Sequence, residues 1–311
     1  MNRCQSARSG LPDEQPPVYR RPSWISYGGK SLSTLMPGAA MPMTFDEFLK
    51  EVCERHELDW RKYRRHAARR HLDGRLRELG LAGYEPYVEL LRRDPAEAEL
   101  LPDLLRVTVS RFFREREHWD FLAREVLPGL LSHSRDSGRP LRAWCAGCCN
   151  GEEPYSLALL LLSMPAASGP GAAPVEIVAT DIDEAVLERA RAGRYCASSV
   201  REVPQALLER YFSRVGDEFR LDKKVRGMVE LRRHNIREDE PPEGIDLALC
   251  RYLVFTYFTG ERRRLAAERL WRALSAGGVL MTGRKDRLGP RMLEFFSPWP
   301  GSGVFFVRRE R

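Results

Sequence analysis

No stretch of this chain approaches the roughly 18–20 uninterrupted apolar residues that span a bilayer. The longest, 157–164, suffices only for a buried helix. The first 42 residues carry arginines but no apolar core of a secretory signal. A cytoplasmic location without membrane insertion is therefore expected. The seven cysteines are an odd set in a chain with no such signal, which argues against a disulfide framework. Cys145, Cys148 and Cys149 cluster, yet one Cys-x-x-Cys-Cys lacks the second ligand pair of a zinc site. No metal is expected, and small residues in a tight loop is the preferred reading. No Ser/His/Asp or Cys/His set stands out, His118 and His234 read as structural, and no internal repeat is visible.

What is present suits a small domain beside a full α/β domain. The 311 residues exceed one average domain, and an apolar share of 43% supports a sizeable core. The net charge of +7 is unevenly spread. Arg61, Lys62, Arg64, Arg65, Arg69, Arg70 and Arg75 crowd into 61–77. Such a face attracts polyanions, either nucleic acid or an acidic protein surface, unless it is simply a solvated helix face.

Residues 1–42 mix Pro, Gly, Ser and isolated charges without periodicity and read as disordered. Met41 and Met43, just before the first ordered signal, are candidate start sites. Thr44 with Glu47 forms a capping box. Phe45, Phe48, Leu49, Val52 and Cys53 follow at the spacing of one buried helical face. Helical pattern continues to about Leu105 with breaks at Gly80 and Gly83, giving an all-helical basic domain over 43–106. The remainder, 107–311, alternates strands (141–146, 175–180, 245–250, 278–282) with helices (155–164, 184–192, 261–274), and 165–174 is a loop. That alternation predicts a mostly parallel, doubly wound, Rossmann-like α/β sheet. Residues 193–229 interrupt it, with strand candidates at 218–221 and 228–231, and read as an inserted small β subdomain.

The chemistry concentrates in Gly-Cys-Cys-Asn-Gly at 147–151, between a strand and a helix. Gly147 lets the backbone turn and approach a ligand closely. Glu152 and Glu153 then open the helix, where a phosphate-binding loop offers bare amides. Two carboxylates repel a pyrophosphate and suit a sulfonium, an amine and ribose hydroxyls, as in S-adenosylmethionine. The plain alternative is acids complementing the helix dipole. Asp181 ends the second strand, where an acid hydrogen-bonds ribose hydroxyls; the loop at 165–174 explains its distance from the glycines.

Asn-Gly-Glu-Glu-Pro-Tyr-Ser at 150–156, Ala-Thr-Asp-Ile-Asp at 179–183 and Ser-Arg-Phe-Phe-Arg-Glu at 110–115 together resemble the chemotaxis receptor glutamate methyltransferases, the CheR family. The match covers roughly residues 44–290, the helical domain and insertion included. The resemblance implies a protein-glutamate O-methyltransferase that uses S-adenosylmethionine and releases S-adenosylhomocysteine. A chemoreceptor-like or other signalling protein would be the acceptor, and the enzyme a monomer. Thr108, Ser110 and Arg114 would line the cofactor and reaction site. Glu153 and Asp181 would hold the cofactor, Asn235 and Ile236 would flank its adenine, and Arg251, Tyr252 and Leu253 would close the pocket. The inserted segment would dock a partner. Arg114 is the candidate to orient the acceptor carboxylate, or else an ion-pair partner of Glu115 or Glu117. Tyr257 contacts acceptor or cofactor, or is a core aromatic.

The chain departs from the family where Tyr252 replaces an asparagine and Thr108 another. Phe255 and Thr256 stand among usual aliphatics, and Gly-Arg-Lys-Asp at 283–286 stands where Gly-His-Ser-Glu is usual. These lie on the acceptor side. Two other readings follow: a methyltransferase of the same fold acting on nucleic acid or a small molecule, and a cofactor-binding protein without transfer. Against a base methyltransferase, Cys250-Arg-Tyr-Leu occupies the place of an Asn/Asp-Pro-Pro-Tyr/Phe loop.

Overall fold

The computed structural model describes residues 42–310 apart from 56, 64, 65, 106–109 and 170. The disorder expected over 1–42 therefore falls, but for its last residue, outside the described residues, as does Thr108. The chain begins with helices α1 (Phe45–Arg55), α2 (His66–Glu78), α3 (Tyr84–Arg93) and α4 (Pro95–Leu105). The capping box forms: the Thr44 amide donates to Glu47 Oε2 at 2.7 Å, and the Glu47 amide to Thr44 Oγ1 at 3.2 Å. Phe48, Leu49, Val52 and Cys53 are the buried face of α1, and Gly80, at φ +67°, stops α2.

Ten strands follow: β1 (Leu141–Ala146), β2 (Val175–Asp181), β3 (Arg194–Cys196), β4 (Phe212–Val215), β5 (Glu218–Leu221), β6 (Val229–Arg233), β7 (Ile245–Leu249), β8 (Leu274–Met281), β9 (Phe296–Pro298) and β10 (Phe305–Arg308). Seven of them form one sheet in the order β6-β2-β1-β7-β8-β10-β9. Its first five are mutually parallel, and β10 runs antiparallel between β8 and β9. A sheet covered on both faces needs strands apolar on both, and β7 is buried at every position. Successive side chains serve opposite cores. Ala143, Cys145, Leu247 and Leu249 join the Glu152–Ser163 helix and the 116–137 region. Trp144, Ala146, Ala248 and Cys250 join the Gly260–Ala273 helix and α1–α4.

The insertion is a three-stranded antiparallel sheet, β3-β5-β4. Of the two strand candidates there, 218–221 is β5. The other, 228–231, is instead the edge strand β6 of the main sheet, paired in parallel with β2 from Ile177↔Val229 to Asp181↔Arg233. Short alternation signals a strand but not which sheet it joins. Strands β9 and β10 were not legible, being three and four residues long.

The helical region docks through residues 57–63. The Asp59 amide donates to the Tyr257 carbonyl and the Thr259 amide to the Glu57 carbonyl, both at 2.8 Å. The Glu57 carboxylate accepts the Glu261 and Arg262 amides at 3.0 and 2.9 Å. It thereby satisfies first-turn donors of the Gly260–Ala273 helix.

Candidate active site

The chain leaves β1 for β2 and β6 on one side, then returns to β7 on the other. The crevice at the C-terminal ends of β1 and β7 is thus the topological switch point where open α/β sheets bind ligands. Residues 147–151 form its floor. Gly147 has φ +77°, and a Cβ there would sit 2.7 Å from Leu253 Cδ2. Gly151 has φ +87°, and a Cβ would meet the Tyr155 ring at 2.7 Å and Ala190 at 2.9 Å. Both positions require glycine. Asp181 braces this loop, its carboxylate accepting the Cys149 amide at 3.0 Å and the Asp183 amide at 3.1 Å. Cys145 and Cys148 are buried thiols whose pKa values burial raises well above the usual. Among the described residues no three His, Cys, Asp or Glu side chains gather as metal ligands.

The two glutamates that open the helix diverge. Glu152, 2% exposed, turns toward the insertion, where Ser199 Oγ donates to its Oε1 at 3.3 Å, while its Oε2 has no hydrogen-bond partner among the described residues. Burial pushes its carboxyl up to about 7, only partly offset by its own backbone amide, by the Ser199 and Ser110 hydroxyls and by Arg189. Because the folded value lies above the unfolded one, Glu152 favours folding below about pH 4.5, and that contribution fades as pH rises toward 7. Glu152→Gln should flatten this slope. The variant gains on the wild type by about 2–3 kcal/mol between pH 5 and pH 8 in denaturant titrations. Parallel stability–pH curves would contradict it.

Glu153 faces Arg251, whose Nη1 lies 3.3 Å from Glu153 Oε2. Burial raises its pKa, opposed by Arg251 and by Arg114. Arg251 has only 3% of its side chain exposed. Its Nη2 donates to Glu115 Oε2 at 2.9 Å and to the Arg114 carbonyl at 2.7 Å. Burial pushes the Glu115 carboxyl up, but His118, Tyr252, the Arg284 amide and Arg251 together hold it well below the usual range. Tyr252 donates its hydroxyl to Glu115 and its amide to Asp286 at 2.9 Å. Asp286 also accepts the Gly283 amide at 2.8 Å and the Thr256 hydroxyl. Three residues that depart from the family pattern, Tyr252, Thr256 and Asp286, thus form one connected network with the retained Gly283.

The Arg114 guanidinium lies over the Tyr252 ring, 3.9 Å from its centroid. Its carbonyl also accepts Trp119 Nε1 at 3.1 Å. Among the described residues, four non-glycine residues take left-handed backbone conformations around this crevice: Phe113 (φ +50°), Glu115 (+63°), Cys149 (+52°) and Tyr252 (+57°). Each costs about 1–3 kcal/mol and persists only where surrounding bonds enforce it, and such strain clusters at active sites.

The structure brings Arg114, Gly147, Glu153, Tyr252 and Leu253 together at the crevice, with Ser110 beside Glu152. Asp181 stands at its edge. Asn235 closes the turn after β6, its Oδ1 accepting the Arg237 amide at 3.1 Å, and Ile236 is buried in the core that holds Trp144. Tyr257 is half-buried and packs its ring against Tyr63 at 4.9 Å. Glu115 and Asp286 are what sequence reasoning missed as site residues, and it placed Arg251 only in the segment that closes the pocket. The available signal was an arginine directly following the apolar run Leu-Ala-Leu-Cys at 247–250, which must find partners when buried. In the basic run, Arg75 is engaged with Glu97 and Glu78, and Arg69 lies 3.8 Å from Asp73; Arg64 and Arg65 fall outside the described residues.

The carboxylates of Glu153 and Asp181 flank the glycine loop, Asp181 holding its Cys149 amide. That set rejects a phosphate and fits a sulfonium nucleoside. Comparison with known proteins agrees. Residues 108–300 match the family model described as the CheR methyltransferase, SAM binding domain, and residues 43–105 that of the CheR methyltransferase, all-alpha domain. A chemotaxis protein methyltransferase of Listeria monocytogenes is 35% identical over 198 residues, covering 64% of this chain and 72% of that protein. A probable chemotaxis protein methyltransferase of Rhizobium etli is 35% identical over 227 residues, covering 70% and 82%. Chemotaxis protein methyltransferase 2 of Pseudomonas aeruginosa is 35% identical over 221 residues, covering 69% and 76%. With sheet, acid-flanked glycine loop and both family models in agreement, the chain belongs to the CheR methyltransferase family and is an S-adenosylmethionine-dependent methyltransferase.

Proposed function

We propose that this protein methylates glutamate side chains of chemoreceptor cytoplasmic domains, working as a monomer in the cytoplasm. The observation that carries this reading is the Arg114 guanidinium held 3.9 Å over Tyr252 at the switch-point crevice. A planar fork there matches the two oxygens of a carboxylate. The relatives named as chemotaxis protein methyltransferases support the class of acceptor.

In this reading Asp181 hydrogen-bonds the ribose hydroxyls of the methyl donor and Glu153 faces its amine. Thr108 and Ser110 line the same side, Asn235 and Ile236 flank the adenine, and Gly147, Tyr252 and Leu253 wall the pocket. The donor supplies a methyl group on a sulfonium. The acceptor glutamate is already ionised near pH 7, its ordinary pKa being about 4.3. Its oxygen lone pair forms the new bond to the methyl carbon while the carbon–sulfur pair leaves with sulfur. The products are a methyl ester and S-adenosylhomocysteine, and no proton moves. The protein's task is alignment and exclusion of water. Arg114 orients the carboxylate without fully neutralising it, since a tightly paired carboxylate is a poorer nucleophile. Tyr257 is given no chemical step.

The test is transfer of tritiated methyl from the donor to receptor cytoplasmic domains, run beside domains whose acceptor glutamates are replaced by glutamine. Label on the first and none on the second is expected. Label on DNA, RNA or small molecules in place of the receptor would overturn the assignment.

A further inference from the structure

Tyr252 is restrained at four points. Its backbone is left-handed at φ +57°. Its amide is held by Asp286 at 2.9 Å and its hydroxyl by Glu115. Its ring lies so close to Gly283 that a Cβ there would stand 2.7 Å from Cε2 and 2.8 Å from Cζ. A ring fixed so thoroughly is a platform. What lies on it is the Arg114 guanidinium, 3.9 Å from the centroid.

The Arg114 backbone is equally constrained. Its carbonyl takes Trp119 Nε1 at 3.1 Å and Arg251 Nη2 at 2.7 Å. Left-handed Phe113 and Glu115 flank it, and the Phe113 amide donates to Ser156 Oγ at 2.9 Å. The arginine side chain has many rotamers, and contact with a fixed aromatic face restricts it before any acceptor arrives.

We propose that Tyr252 is a positioning residue: its ring fixes the Arg114 guanidinium for the acceptor carboxylate, and Gly283 is the space that the ring requires. This rests on the role given to Arg114 above. It predicts that Gly283→Ala acts as a Tyr252 variant, by displacing the ring. It also predicts that Tyr252→Phe, which keeps the face and loses only the hydroxyl, loses less activity than Tyr252→Leu.

The test is a double-mutant cycle on methyl transfer to a receptor cytoplasmic domain, with Tyr252→Leu in the wild-type and Arg114→Ala backgrounds. Tyr252→Leu should lower kcat/KM for the acceptor about tenfold, the factor that a desolvated cation–π contact of about 1.4 kcal/mol represents. KM for the methyl donor should change less than kcat/KM for the acceptor. In the Arg114→Ala background the same substitution should cost less than about twofold, because the group it positions is gone. An equal loss in both backgrounds, or no loss in either, overturns the proposal.

A second readout needs no acceptor. The Arg114 guanidinium proton resonances, identified by their loss in Arg114→Ala, should be ring-shielded in the wild type and in Tyr252→Phe, and return to ordinary positions in Tyr252→Leu. Unshielded resonances in the wild type overturn the positioning role. Shielded resonances in an enzyme that methylates no receptor domain uphold it and overturn the acceptor assignment alone.

Discussion

Arg251→Met is expected to lower stability by about 3–5 kcal/mol, the largest single-residue loss in this protein outside its core. The substitution keeps most of the volume and removes a cation shared by Glu115, 7% exposed, and Glu153, 12% exposed. Their carboxylates would remain buried with a partner missing, which costs far more than the ion pair itself contributes. Denaturant unfolding should show a lower midpoint with an unchanged slope. Adding Glu115→Gln should return part of the loss, because one orphaned charge goes with it. The pH dependence supports the same cluster. Glu115, with its folded pKa below its unfolded one, contributes stability that is present above about pH 4.5 and lost as pH falls below that. A cost under about 1 kcal/mol for Arg251→Met would mean that water reaches the cluster.

The second large effect is on ligand affinity. Asp181→Ala should weaken binding of the methyl donor about a hundredfold in calorimetric titration. Hydrogen bonds to a charged acceptor are worth about 1.5–3 kcal/mol each, and two ribose hydroxyls are at stake. The same carboxylate holds the Cys149 amide, so the loop also loses a brace. Asp181→Asn, which keeps an acceptor oxygen, should lose less. Arg114→Ala should leave donor affinity largely intact and lower turnover. Unchanged affinity in Asp181→Ala would refute the ribose role.

Local features were legible in the sequence to the extent that their partners are near in the chain. The Thr44–Glu47 capping box, the buried face of α1 and the strand–glycine loop–helix unit each rest on spacings of a few residues, and each formed. Asp181 was placed at a strand end, and Arg233 of β6 pairs opposite it. The sheet that β6 would join was not legible, because a short alternating segment carries no address. The acceptor side of the crevice shows the same limit. Glu115 read as a neighbour's ion-pair partner, but its cation is Arg251, 136 positions away. Likewise Tyr252 and Asp286 looked like separate departures from a pattern. They meet at a glycine the pattern keeps: the tyrosine ring needs Gly283, and the aspartate holds both backbones.

The central claim is that this crevice makes a carboxyl methyl ester, and the lability of the product tests it most directly. Receptor domain labelled with tritiated methyl by this enzyme should release its label as volatile methanol in mild alkali, leaving the protein unlabelled. Label that withstands alkali and stays on the protein, as an N-methyl group would, contradicts the account.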